Sequence, residues 1–327
     1  RWASASRKKT PGLLSQLGHL LQEDTAGDPT GRRRLWTGKR LRQITVELRA
    51  LGIAVSPNTV RRLLEQMGYA LHANTKSISA SSPQRDEQFG CIARQKKLFL
   101  RGGWPIISID TKKKELVGNF KNSGRVWGRQ PVPVNDHDFR SQAMGMANPY
   151  GILDLVANQG AVFVGISHDT PAFAAGNVAR WWRQRGQQAY HDASQLLILA
   201  DSGGSNGARV RAWKYELHRQ VVEPFGLSIT VCHYPTGASK WNPVEHRLFS
   251  EISKHCAGQP LDSYPTILRL INQTTTHTGL RVSASLITKH YRTGQKISDQ
   301  QMREIGCRKH RVLPDWNYTL SPSQNRN

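Results

Sequence analysis

Two apolar runs of strand type, each ending in an aspartate, constrain this chain more than any other feature. Pro105-Ile106-Ile107-Ser108-Ile109 leads into Asp110, and Gln195 to Ala200 (QLLILA) leads into Asp201. Short, nearly continuous Ile- and Leu-rich runs are the pattern of strands covered on both faces. Such strands sit inside a sheet and deliver their last residue to its rim on a rigid support. A third stretch, KWNPVEHRLFSEI (Lys240 to Ile252), opens a helix at Asn242-Pro243 and puts Glu245 in its first turn. Asp110, Asp201 and Glu245 read as one carboxylate cluster for divalent metal. Glu251 is the rival for the third place, and six residues along a helix it faces another way. The preference for Glu245 rests on Asn242-Pro243, which fixes the helix start just before it.

These acids stand in a basic chain. Lys and Arg number 46 against 23 Asp and Glu, giving a net charge of +23 and a pI near 10.4. Such a field attracts polyanions, nucleic acid above all. A basic surface without further purpose has the same composition, so charge alone does not decide. Cys91, Cys232, Cys256 and Cys307 form no C-x-x-C pair, which argues against a disulfide framework and for reduced thiols. Cys232-His233, His255-Cys256 and Cys307 with His310 offer zinc-type ligands, but their spacing fits no standard finger. No run approaches 18 apolar residues, so nothing is expected to span a membrane, and no signal peptide is visible. The chain begins with Arg1 and is expected to be truncated or taken from a longer reading frame.

Ahead of the acidic strands, Leu13, Leu14, Leu17, Leu20 and Leu21 have helical spacing. Leu41, Ile44, Leu48 and Leu51 form a second stripe, with Thr37 as a candidate N-cap and Gly52 as the stop. Val60, Leu63, Leu64 and Met67 form a third, which Ser56 caps, Pro57 opens and Gly68 ends. The layout is that of a helix-turn-helix with Pro57 to Met67 as recognition helix, presenting Asn58, Thr59, Arg61 and Arg62. An ordinary helical hairpin is the plainer reading. GYALHANTK suits a wing strand and ISASSP (Ile78 to Pro83) a linker. Gln84 to Leu100 looks helical.

Beyond Asp110, Gly124 to Phe139 is too rich in Pro and Gly for core and reads as a loop. Gly151 to Thr170 reads as a hairpin turned at Asn158-Gln159-Gly160. Thr170 to Gln184 reads as a helix with Phe173, Val178, Trp181 and Trp182 as its apolar set. The helix after Asp201 has Ser205 or Asn206 as candidate cap, and LSITVCHY reads as a fifth strand. Asp201-Ser202-Gly203-Gly204-Ser205-Asn206 lets backbone approach phosphate but is not a P-loop, so no nucleotide cofactor is expected. His168 and Asp169 lie at a strand end near the expected site, and His168 suits either assistance to catalysis or a structural hydrogen bond. Lys240 and Trp241 suit contact with DNA backbone and base, with packing as the plainer role for Trp241. A few carboxylates plus substrate phosphate make a sufficient site for Mg²⁺, which takes hard oxygen ligands and keeps several waters.

The words ISIDTKKKELVGNFKNSGR, SHDTPAFA, DSGGSNG and YPTGASKWNPVEHRLFS, in that order, resemble the DDE transposases of bacterial insertion sequences. The resemblance is to the Azoarcus-type branch, whose domain is also called the Rhodopirellula-type DDE transposase domain, and it covers about residues 25–320. It implies an α/β fold, an RNase H-like mixed five-stranded sheet flanked by helices, behind an all-α helix-turn-helix region. The divisions expected along the chain are a basic N-terminal helix and arm (1–34), a helix-turn-helix region (35–82), a linker helix (83–104), an RNase H-like catalytic core (105–258) and a helical, basic C-terminal extension (259–327). It further implies binding of element ends, DNA cleavage and strand transfer through Asp110, Asp201 and Glu245. Mg²⁺, with Mn²⁺ as substitute and two ions in the site, would be the cofactor. The implied partners are double-stranded DNA (terminal repeats and target) and further copies of the chain on DNA, in the bacterial cytoplasm at the nucleoid. An RNase H-like nuclease without strand transfer, and a transposase-derived DNA-binding regulator, are the alternatives.

Overall fold

Three helices, Thr10–Gln22, Leu41–Ala50 and Pro57–Gln66, bring together the stripes that the sequence spaces three and four residues apart. The structure, a computed structural model, describes residues 10–22, 25–26, 36–37, 39–71 and 84–323. The chain divides into two compact units, Arg1–Ile78 and Ser79–Asn327. In the first unit Leu17, Leu21, Ile44, Leu48, Val60 and Leu63 are buried together. Ser56 caps the third helix as expected, its hydroxyl accepting from the Thr59 N–H at 3.2 Å, and Pro57 takes the first helical position. Thr37 is not the cap of the second helix. It belongs to a two-residue bridge, β1 (Thr25–Ala26) with β2 (Trp36–Thr37), and the helix starts at Leu41, where Gln43 accepts from the Arg40 N–H at 2.9 Å. Leu51 is 59% exposed because it lies one residue past the last helical turn, before Gly52 at φ +79°. The basic runs Arg7-Lys8-Lys9 and Arg32-Arg33-Arg34, the tail beyond Leu71 and the Ile78 to Pro83 linker lie outside the described residues. Leu48→Ala should destabilise this small core by about 3 kcal/mol, read as a lowered melting temperature of the first unit.

In the second unit a sheet of nine strands carries the two aspartates. Its strands are β3 (Ile106–Thr111), β4 (Glu115–Val117), β5 (Gly145–Asp154), β6 (Gln159–Gly165), β7 (Gln195–Ala200), β8 (Ser228–His233), β9 (Arg281–Ile287), β10 (Gly306–Lys309) and β11 (Asn317–Ser321). They lie in the order β10-β11-β8-β7-β3-β5-β6-β9, with β4 on β5. The inner five, β8-β7-β3-β5-β6, are the five strands expected from the sequence. β3, β7 and β8 run parallel, and β5 is antiparallel to both of its neighbours. The sheet extends past those five because β9 adds in parallel to β6, and β11 adds antiparallel to β8.

Alternation along the strands sets what covers each face. Ile107, Ile109, Leu196 and Ile198 pack with Phe173, Val178, Trp181 and Trp213 from the helices Pro171–Trp181 and Arg211–Leu217. Ile106, Leu197 and Leu199 pack on the other face with Ile92 and Phe99 of the helix Arg85–Arg101. Thr170 caps Pro171–Trp181, accepting from the Phe173 N–H at 3.2 Å. Neither Ser205 nor Asn206 caps the following helix. It begins at Arg211, and the chain from Ser202 to Val210 turns back on itself first, through Gly204 at φ +73°.

The helical segment Val244–Phe249, continued by Ser250–Cys256, lies close on β5 and β6 because two glycines admit it. A Cβ at Gly151 would overlap the Phe249 ring, and one at Gly160 would overlap the Leu248 side chain. Gly151 stands opposite Asp110 in the β3–β5 register. The close approach therefore brings the start of this segment to the acid.

Candidate active site

Register determines the relation between the two aspartates. Parallel pairing sets Ile109 against Ala200, so the next residues, Asp110 and Asp201, leave adjacent strands side by side. Both fall on the same face as Ser108, Leu197 and Leu199, by the period of two. That face is the one on which the Asn242-to-Phe249 segment begins.

Asn242 is fully buried and joins the parts. Its amide nitrogen donates to Asp201 Oδ1 at 3.0 Å and to the Ile109 carbonyl at 3.3 Å. Its oxygen accepts from the Ser108 hydroxyl, which in turn accepts from the Val244 N–H at 3.0 Å. Glu245 follows, its N–H bonded to the Asn242 carbonyl at 3.0 Å. Its carboxyl lies close enough to Asp110 and Asp201 for its charge to act on both.

The electrostatics match that crowding. Burial first, and then the neighbouring charges of Asp201 and Glu245, push the Asp110 carboxyl up to about 8, against the opposing pull of the Thr111 N–H at 2.7 Å. Burial also raises Asp201; the Asn242 amide opposes this and the Glu245 charge adds to it. A carboxylate held up by burial and like charge favours a cation beside it. Among the described residues no group of three or more His, Cys, Asp or Glu side chains is placed to hold a metal ion as it stands. The donor set, oxygen only and from three separate places, nonetheless fits a hard divalent ion that keeps water in its shell. His233, fully buried, steadies the end of β7. Its Nδ1 donates to the Asp201 carbonyl at 2.8 Å while Nε2 faces the Tyr318 hydroxyl at 3.2 Å. Burial lowers its pKa to about 4, so the ring is neutral near pH 7.

Glu251 lies elsewhere. It pairs with Lys254 at 2.7 Å and lines a cleft of about 630 Å³ with Asn158, His246, Arg247 and His277. The structure thus brings Glu245, and not Glu251, to the aspartates. His168 is exposed, whereas its neighbour Asp169 is half-buried.

Asn58, Arg61 and Arg62 are exposed on their helix, and Arg61 reaches Glu65 only at 3.9 Å. Thr59 is half-buried, and its hydroxyl is engaged by the Ser56 cap at 3.0 Å. In the second unit Lys240 and Trp241 are exposed, with the Lys240 ammonium 4.1 Å from the Trp241 ring centroid. Arg85, which the sequence pattern did not single out, stacks on the same ring at 4.4 Å, and Phe89 meets it edge-on at 5.6 Å. Trp241 therefore both packs and offers a cation-flanked edge to solvent. The loop expected between Gly124 and Phe139 has no regular structure and leaves Trp127 fully exposed. No helix among the described residues is long and apolar enough to cross a membrane.

A family model described as the Rhodopirellula transposase DDE domain matches residues 16–322. Among solved structures the chain is similar to the Mos1 transposase paired-end complex with left transposon end, at 16% identity and a TM-score of 0.44, covering 80% of this chain and 70% of that one. It is similar to a pre-cleavage Mos1 transpososome at 16% identity and a TM-score of 0.45, with the same coverage. The mariner Mos1 paired-end complex with Mg matches at 16% identity and a TM-score of 0.43, again over 80% and 70%. No curated protein matches the chain.

Proposed function

The chain belongs to the Rhodopirellula transposase DDE-domain family, and on that premise we propose that this DDE transposase cuts element ends and joins them to target DNA at Asp110, Asp201 and Glu245. The observation that carries the assignment is the register of β3 and β7, which sets Asp110 beside Asp201 under the helix start bearing Glu245.

The three acids would hold Mg²⁺, with Mn²⁺ as substitute, in a pair of ions. When bound, such ions activate a water or 3′-hydroxyl and stabilise the leaving oxygen. The chain's own part is to fix the carboxylates. Asn242 orients Asp201, the Thr111 N–H holds Asp110, and the packed helix start sets Glu245 against both. Lys240, Trp241 and Arg85 lie four or more residues from the acids in sequence, on or against the same helix start, and suit the backbone and bases of the bound strand. Double-stranded DNA, both element ends and target, is the proposed partner, with further copies of the chain assembled on it. Residues 35–82 are proposed as the reader of the ends, and the unit after them as the seat of the chemistry. The test is strand transfer of labelled, pre-cut element ends with Mg²⁺ or Mn²⁺. Intact protein should give joined product and Asp201→Ala none; equal product from both would overturn the assignment.

End recognition has its own expected result. Asn58→Ala or Arg61→Ala should weaken binding to element ends by about 1–3 kcal/mol more than to random duplex. Competition binding at one fixed salt concentration measures it. Equal losses on both DNAs would make the helix a phosphate clamp.

A further inference from the structure

The face of the sheet opposite Asn242 holds a second polar group that the proposed chemistry does not use. Asp169 follows β6 and immediately precedes Thr170, the cap of the helix Pro171–Trp181. Its carboxyl lies beside the hydroxyls of Ser205 and Thr111, and the Lys114 charge acts on it. Thr111 is the residue after Asp110, and Ser205 is in the turn that follows Asp201. Tyr150 stands opposite Thr111 in the β3–β5 register, is fully buried, and is close enough to feel the charges of both Asp169 and Asp110. Thr111 Oγ1, Tyr150 OH, Asp169 Oδ1 and Ser205 Oγ are all buried, and none completes a well-formed hydrogen bond among the described residues.

Four oxygens buried without a partner around the ends of the acid-bearing strands need an explanation, because each loses its water on burial. Three of them are hydroxyls able to donate, and the fourth belongs to a carboxylate able to accept from all three. The chain segments they belong to are the ones that leave the two acid-bearing strands. We propose that Asp169 is a positioning residue for the acid cluster, drawing Thr111 and Ser205 together so that Asp110 and Asp201 keep their spacing. Asn242 ties the same strand ends from the other face. The pair of ties would hold the acids between them, and removal of either would let the two strand ends move apart. This rests on the reading of Asp110, Asp201 and Glu245 as metal ligands.

The test uses the full chain and Mn²⁺ alone, without DNA, by calorimetry. Mg²⁺ dependence of joining on pre-cut ends, end-DNA affinity and thermal melting are measured alongside. Outer partners of metal ligands typically contribute about 10–100-fold to metal affinity. Asp169→Ala and Ser205→Ala should therefore each weaken Mn²⁺ binding about 10-fold or more, and raise the Mg²⁺ needed for half-maximal joining by a similar factor. End-DNA affinity should stay within about twofold, because neither residue belongs to the proposed DNA contacts. Asp110→Asn should abolish Mn²⁺ binding. Unchanged Mn²⁺ affinity in both Asp169→Ala and Ser205→Ala, with binding lost in Asp110→Asn, overturns the positioning role and leaves the acid cluster standing. Full Mn²⁺ binding by Asp110→Asn overturns the cluster itself and the inference with it. If Asp169→Ala fails to fold, Ser205→Ala decides, since it removes one hydroxyl and leaves the carboxylate in place.

Discussion

Glu245→Gln should reduce joining of pre-cut ends about a thousandfold, while Glu251→Gln should leave the rate within about threefold. The first figure corresponds to about 4 kcal/mol at the transition state, the scale expected when a group that fixes charge at the reacting phosphate is neutralised. Glu245 adds its charge to both Asp110 and Asp201. Gln keeps the shape and removes that charge, so folding and DNA binding should survive. Glu251 is held by Lys254 at 2.7 Å on the surface of the helix, where a screened ion pair contributes at most about 1 kcal/mol to stability. Single-turnover joining with Mg²⁺ distinguishes the two. A larger loss in Glu251→Gln than in Glu245→Gln would move the third ligand and require the helix to sit differently on β5.

Some of this site was legible in the sequence, and the reasons are local. Asp110 and Asp201 stood out because buried strands are written as uninterrupted Ile and Leu, so an acid ending one is conspicuous. Glu245 stood out through Asn242-Pro243, which announces a helix start. The helix pair up to Gln66 was legible because Ser56-Pro57 and two glycines mark its ends. What stayed hidden depends on distant partners. Asn242 looks like a helix-start residue, and nothing near it in sequence says that Ser108 and Asp201 are its partners, 134 and 41 residues away. Asp169 is legible only as an acid at a strand end near the site, with no sign of what surrounds it. Thr111 and Ser205, its neighbours, are ordinary polar residues until the sheet closes. The outer strands were hidden for a different reason. β9 is mostly half-buried and breaks its apolar residues Val282, Leu286 and Ile287 with Ser283, Ala284 and Ser285, and β10 is a four-residue edge. Such strands take their stability from pairing with an existing sheet, and so carry little periodic signal of their own.

The largest effect away from the acids should come from Asn242→Asp. The side chain is fully buried, and its two amide donations, to Asp201 and to the Ile109 carbonyl, are made by hydrogens that a carboxylate lacks. The substitution would leave the Ile109 carbonyl without that partner and place a fourth carboxyl against Asp201, which burial and Glu245 already hold up. Stability should fall by about 2–3 kcal/mol, the expected penalty for breaking a buried polar pair. Joining should fall about 100-fold, at the upper end for a group that orients a metal ligand. Ser108→Ala makes the comparison informative. It removes the hydroxyl that bridges Asn242 and the Val244 N–H but leaves the bond to Asp201 untouched. It should therefore lower the melting temperature with a much smaller loss of joining. If Ser108→Ala and Asn242→Asp lost joining in proportion to lost stability, Asn242 would be a structural staple only. A rate loss well beyond the stability loss, confined to Asn242→Asp, is what orientation of Asp201 requires.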